Sequence, residues 1–220
     1  MKFQAETDLV QVLKHKLKTL YSRENIEIFD EVSLGYGIAD IVICDFANPR
    51  KGGASTEVIL NHSDINIYNI VQTYKNVTFD ILYDTTRIPK KSISNSLIKL
   101  ITCQYITQID DFFIINKPYK LIFRNNFAIE AKLKDWKRAL YQAYRYKWFA
   151  EYSYVVMDKH YAEPAIKHLD LFIKYNVGLA TISTDGCLLR YFNPTRQKPF
   201  DPKMQILFCE KIKQDYTFAR

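Results

Sequence analysis

The sequence predicts an α/β fold: a mixed central sheet flanked by helices and interrupted, after its second strand, by a small inserted module. Three observations predict it. Of the 220 residues, 48% are hydrophobic, which is enough for a sizeable core and too many for a disordered chain. In the flanking parts, segments with a strand's period of two alternate with segments of helical period. Their order is helix, strand, strand, module, strand, helix, strand, helix and strands. Between them the pattern changes to three successive helical segments and a hairpin. The expected organisation is a first core part over 1–57, the module over 58–116, and a second core part with a C-terminal helix over 117–220.

Thr7 to Leu20 reads as an amphipathic helix with Leu9, Val10, Val12, Leu13, Leu17 and Leu20 toward the core. Glu6 lies at its start, where a carboxylate suits the helix dipole. Ile26 to Leu34 and Ile38 to Asp45 are strands joined through Gly35-Tyr36-Gly37. In the second, Asp40 breaks an apolar run on the face of Ile38 and Val42. An Asp at a strand end or bulge would look the same. Ala47 to Ser55 is a loop by its Pro, Gly and Ser content, and no Gly-Lys-Ser/Thr ending makes it a phosphate loop.

The module comprises helices over Ile65 to Tyr74, Thr78 to Thr85 and Ser92 to Cys103, then a hairpin over Tyr105 to Asn116 turning at Asp110-Asp111. Three helices and a hairpin resemble a winged helix-turn-helix, whose third helix would face DNA. That helix carries Ser94, Asn95 and Lys99 outward, with Lys90 and Lys91 just before it. From Asp64 to Asn116 the five basic residues equal the five acidic ones, so DNA reading, dimerisation and protein docking all stay open.

Phe127 to Leu133 alternates as a strand. Ala128, Glu130 and Lys132 share one face, and Ile129, Ala131 and Leu133 the other. A carboxylate and an ammonium on an apolar strand imply pairing or a bound group. Asp135 to Glu151 follows as a helix. Its apolar stripe is Trp136, Ala139, Leu140 and Ala143, and its polar stripe Arg138, Gln142, Arg145 and Tyr146. Tyr152 to Met157 is a buried strand and Pro164 to Tyr175 a helix. Val177 to Ile182 and Cys187 to Phe192 are strands turned through Asp185-Gly186, and Pro202 opens a last helix to about Gln214.

Charge is placed unevenly. From Lys117 to Lys147 nine basic residues face two acidic ones, a difference equal to the net +7 of the whole chain. That basic run surrounds the Glu–Lys pair, as a phosphate-facing surface would. The four cysteines are scattered singly, which excludes CxxC zinc and iron–sulfur patterns and fits a reducing, cytoplasmic setting. The first residues lack the apolar core of a signal peptide, and no apolar run approaches a membrane span. The four histidines lack metal-ligand spacing, and neither GxSxG nor GxGxxG occurs.

An Asp on one strand, Glu-x-Lys on a later one and a Gln on the following helix resemble the signature of the PD-(D/E)XK, or restriction-endonuclease-like, nuclease superfamily. Here these are Asp40, Glu130-Ala131-Lys132 and Gln142, with the aromatic Tyr146 four residues on. D/E-x-K recurs at 135–137 and 201–203, but only 130–132 lies on an alternating apolar strand. Ala39 stands where the family often has Pro. The resemblance covers roughly 1–57 and 117–182. It implies an αβββαβ core and Mg²⁺, for which Mn²⁺ substitutes. The metal would be held by Asp40, Glu130 and the backbone carbonyl of Ala131, with Glu6 a further candidate. Lys132 would hold or activate the attacking water and Gln142 would position the strand. Lys134, Lys137, Arg138, Arg145 and Tyr146 would contact DNA. The implied activity is Mg²⁺-dependent cleavage of DNA. The rivals are an inactive DNA-binding protein of the same shape, and an assembly subunit that docks a second copy or a partner protein of a defence or mobile-element system.

Overall fold

Period-two apolar segments collect into one six-stranded mixed sheet in the computed structural model, which describes residues 1–35, 37–47 and 58–218, the last four by backbone alone. Tyr36 and, after Ala47, the expected loop to Ser55 lie outside the described residues. The chain divides into two units. One is Met1–Lys51 with Ile122–Pro202; the other is Gly52–Leu121 with Lys203–Arg220.

The first unit holds the sheet. Its strands are β1 (Ile26–Ser33), β2 (Ile38–Phe46), β5 (Phe123–Lys132), β6 (Tyr152–Asp158), β7 (Gly178–Ile182) and β8 (Leu188–Phe192), in spatial order β1-β2-β5-β6-β7-β8. The β1–β2, β2–β5 and β7–β8 pairs are antiparallel; β5–β6 and β6–β7 are parallel. The parallel pairs need crossovers, and helices supply them. α5 (Trp136–Arg145) joins β5 to β6. α6 (Glu163–Lys167) and α7 (Leu169–Tyr175) join β6 to β7.

Each face of the sheet is covered by the helix whose apolar stripe matches it. α1 (Glu6–Leu20) buries Leu9, Leu13 and Leu17, spaced four apart, against Ile41, Ile43, Ile129 and Ala131. α5 packs on β5 and β6 and buries Trp136, Ala139, Leu140 and Ala143. Asp40 and Glu130 alternate with the α1-facing residues, so they project to the α5 side.

Two elements depart from the periodic reading. The helix expected to run to Glu151 ends at Arg145 and tightens into a 3₁₀ turn over Tyr146–Trp148. The buried Asn126 enforces this end, because its amide donates to the Phe149 carbonyl at 3.0 Å and accepts the Glu151 N–H at 2.9 Å. The helix expected over Pro164 to Tyr175 is two helices broken at His168, whose ring stacks on Trp136 at 4.8 Å.

The second unit contains α2 (His62–Thr73), α3 (Phe79–Thr86), α4 (Lys90–Thr102), the hairpin β3 (Ile106–Ile109)–β4 (Phe112–Ile115), and α8 (Pro202–Phe218), of which all but Pro202 falls within this unit. Val77, between α2 and α3, bridges Phe113 of the hairpin. Asn61 and Asp64 cap α2 reciprocally, at 3.0 and 2.8 Å. The core gathers Ile67, Tyr68, Leu82, Ile93 and Leu100 together with Ile206 of α8. The sequence reading placed this last helix with the sheet. The buried Glu210 accounts for the difference: it accepts the Leu60 N–H at 2.6 Å, the Tyr119 hydroxyl, and the Lys213 ammonium at 2.9 Å. Among the described residues no helix is long and apolar enough to cross a membrane.

Replacing Asn126 with Ala leaves a buried carbonyl and a buried N–H unpaired. The expected outcome is a loss of about 3 kcal/mol, read as a lowered denaturant midpoint with an unchanged slope.

Candidate active site

Asp40 and Glu130 lie far apart in the chain, and the sheet register brings them together. Ile41 pairs with Ile129, and one further step places Asp40 beside Glu130 on the same face. The join is made by a side chain. Asp40 Oδ2 accepts the Ala131 N–H at 2.7 Å, across 91 residues of sequence. The peptide between the Glu and the Lys of the motif is thus held by the carboxylate from β2.

Glu130 is almost completely buried, at 1% exposure. One oxygen lies 3.3 Å from Lys132 Nζ, and the other meets the Tyr146 hydroxyl. That hydroxyl also lies 2.6 Å from the Ile38 carbonyl. A phenol has one proton, so it can donate to only one of two acceptors. A protonated Glu130 donating to Tyr146, which donates to Ile38, satisfies every atom of the chain. Burial pushes the Glu130 carboxyl up to about 7, with the charge of Asp40 adding to the rise and the bonds from Tyr146 and Lys132 opposing it. Burial also raises Asp40, partly offset by the Ala131 N–H and Lys132, while Glu6 and Glu31 raise it further. Burial disfavours the charge on Lys132, but the bond it donates to Glu6 and the charges of Glu130 and Glu6 outweigh it and hold the ammonium above its ordinary range. Lys132 is therefore a cation at neutral pH.

Local structure supports each group. The Phe3 N–H donates to the buried Asp158 at 3.0 Å, anchoring the segment ahead of α1 to the end of β6. Glu6 at the head of α1 accepts from Lys132 Nζ at 2.8 Å. Gly37 has φ +136°, and a Cβ there would come 3.5 Å from the Tyr146 ring. Only glycine takes that backbone readily beside the carbonyl that receives the phenol.

The structure brings together Asp40, Glu130, Lys132 and Glu6, the last as the partner of the lysine. Gln142 lies one helical turn before Tyr146, and its Oε1 is buried without a hydrogen-bond partner. Tyr146, expected against DNA, is buried at 1% exposure and serves Glu130 instead. Its place at the tightened end of α5 turns it inward. Lys134, Lys137 and Arg138 are exposed and Arg145 half-buried, and none forms an ion pair among the described residues. On α4, Lys90, Lys91 and Asn95 are exposed and Ser94 is half-buried. Lys99, expected to face DNA, pairs at 2.7 Å with the buried Asp64 of its own unit. Glu31 went unrecognised in the sequence. Its neighbours pair as Asp30 with Ile41 and Val32 with Ala39, which sets Glu31 beside Asp40, and its φ of 49° is left-handed. Only the hairpin register reveals it.

Among the described residues no group of three or more His, Cys, Asp or Glu side chains is arranged to hold a metal ion. A hard divalent ion is also served by two carboxylates, a backbone carbonyl and waters. The donor set fits such an ion: two adjacent carboxyls, both raised by burial, are the arrangement a divalent charge would stabilise. Compared with known proteins, the chain matches no family model, no curated protein and no solved structure.

Because the folded protein holds a Glu130 proton up to about pH 7 and the unfolded chain releases it near 4.5, the native state binds the extra proton between those values. Metal-free stability is therefore expected to fall across that window as pH rises, by about 3 kcal/mol, and to level off above it. Urea titrations of wild type and Glu130→Gln at several pH values check this. An equal slope in the variant would remove Glu130 as its source.

Proposed function

We infer that the protein is a Mg²⁺-dependent endonuclease that hydrolyses DNA phosphodiester bonds. The observation that carries this reading is the Asp40 carboxylate bound to the peptide N–H between Glu130 and Lys132, which gathers two acids and one cation at the end of adjacent strands. The element order supports it. With the second unit set aside, α1, β1, β2, β5, α5 and β6 run αβββαβ, as expected of a restriction-endonuclease-like core. In the second unit three helices, a hairpin and the Val77–Phe113 bridge support a winged-helix-like module.

Asp40, Glu130 and the Ala131 carbonyl would hold the ion, which when bound lowers the pKa of a water and neutralises phosphate charge. The chain's own groups do the rest. Lys132, kept cationic by Glu6 and Glu130, donates hydrogen bonds to the attacking water or to a phosphate oxygen and offsets charge that grows toward the transition state. Tyr146 orients Glu130 through one oxygen and leaves the other toward Lys132. Gln142, one turn before Tyr146 on α5 and half-buried, would position the strand. Lys134, Lys137, Arg138 and Arg145 supply phosphate contacts without sequence information.

Asp40→Asn, Glu130→Gln and Lys132→Ala are each expected to lower Mg²⁺- or Mn²⁺-dependent cleavage by at least about two orders of magnitude while DNA binding persists. Supercoiled, linear, single-stranded and branched DNA, each with metal and with chelator, are the substrates. Undiminished cleavage by these variants would exclude the site; no cleavage of any substrate by the wild type would favour an inactive DNA-binding protein.

A second reading applies to the module. Ile98 and Ile101 on α4, and Ile109, Phe112 and Ile114 around the hairpin, are exposed apolar side chains on the stretch 64–116, whose basic and acidic residues balance. Together they form an apolar surface of the kind that docks a second copy or a partner protein. Light scattering of wild type and Ile98→Glu/Phe112→Glu tests self-association: a dimer that the variant dissociates supports self-docking.

A further inference from the structure

We propose that the face of α5 turned away from the sheet binds single-stranded DNA, with unpaired bases stacked on Tyr141 and Tyr144 and phosphates held by Arg138 and Arg145. The role of this platform in cleavage rests on the nuclease reading, but its binding of a strand does not.

A groove of about 390 Å³ opens between α5 and α7, lined by residues that include Trp136, Tyr141, Tyr144 and Tyr175. Tyr141 is 64% exposed, Tyr144 37% and Tyr175 38%. Exposed phenol rings grouped in this way are unusual for a surface that only meets water. Surface cations also border three of these rings: Arg145 lies 5.8 Å from the Tyr141 centroid, Lys174 5.6 Å from Tyr175, and Lys137 5.7 Å from Trp136. The lining has one cation, Lys137, and no acid. Rings bordered by positive charge complement a polymer that carries flat π-faces and a negative backbone, and unpaired nucleic acid is that polymer. A duplex hides its base faces within its own stack, so the rings would gain little from it.

The groove also connects to the active site along one helix. At about 100° per residue, Arg138 and Arg145 fall about 20° apart, between Gln142 on one side and Tyr141 on the other. Going round α5 from the active-site side therefore meets Gln142, then the two arginines, then the exposed rings. A strand whose phosphate lies near Glu130 can set its next phosphates on the arginines and its next bases on Tyr141 and Tyr144.

The test is fluorescence anisotropy of a labelled 20-nucleotide oligo-dT with the full chain, in chelator so that nothing is cut. The wild type is expected to bind oligo-dT more tightly than a duplex of equal length, and to show quenched Trp and Tyr emission. Tyr141→Ala/Tyr144→Ala is expected to weaken oligo-dT binding at least about tenfold and to leave duplex binding unchanged. Tyr141→Phe/Tyr144→Phe, which keeps the rings, retains it. An abasic strand should bind wild type as weakly as oligo-dT binds the Ala variant. Absence of oligo-dT binding, equal binding by wild type and Ala variant, or equal binding of the abasic strand overturns the proposal. Ring-dependent binding without any Mg²⁺-dependent product sinks the nuclease reading and leaves the platform. Cleavage that is confined to duplex and indifferent to the rings does the reverse.

Discussion

Two carboxyl groups held side by side, one buried and one half-buried, are the constraint on which the first unit turns. Burial raises both Asp40 and Glu130, and Asp40 raises Glu130 further. Such a pair persists because neighbouring polar groups are turned toward it. The Ala131 N–H goes to Asp40, the Lys132 ammonium lies against one oxygen of Glu130, and the other oxygen shares a hydrogen bond with the Tyr146 hydroxyl. These bonds lower the penalty without removing it. A site left with that residual bias toward protonation favours any species that brings concentrated positive charge.

The surrounding scaffold can be understood as a set of anchors for those groups. Asp158 holds Phe3 and so fixes the approach to α1, which delivers Glu6 to Lys132. Asn126 pins the segment after α5 and so sets where Tyr146 turns inward. Gly37 lets the β1–β2 connection pass close to the Tyr146 ring, where the Ile38 carbonyl receives the phenol. None of these anchors belongs to the cluster of Asp40, Glu130 and Lys132, yet each determines where a member of that cluster or its partner lies. Packing of α1 on one face of the sheet and α5 on the other makes the anchors rigid.

The second unit has a different electrostatic logic. Its buried acids are fully engaged internally: Asp64 with Asn61 and Lys99, and Glu210 with Leu60, Tyr119 and Lys213. Little charge is left for an external anion on the exposed face of α4 beyond Lys90 and Lys91, whereas apolar side chains stand in solvent. The first unit concentrates unpaired cations on α5. Unpaired cations and exposed apolar side chains thus fall to separate units.

The amino-acid sequence determined the α/β class, nearly all the elements, and the chemical identity of Asp40, Glu130 and Lys132. The reason is local: a charge on an alternating apolar strand, or a cap before a helical period, is visible within a few residues. Periodicity assigns a side chain to a face, but it does not say which element covers that face or where a helix will be stopped. The end of α5, and with it the burial of Tyr146, depended on Asn126 reaching across 23 residues to a carbonyl. Pairing of Lys99 with Asp64, the alignment of Glu31 with Asp40, the break at His168 and the allegiance of α8 likewise required registers and contacts between distant segments. Tertiary structure decided those because they are energies of pairs, and the partner of a residue is not written beside it in the chain.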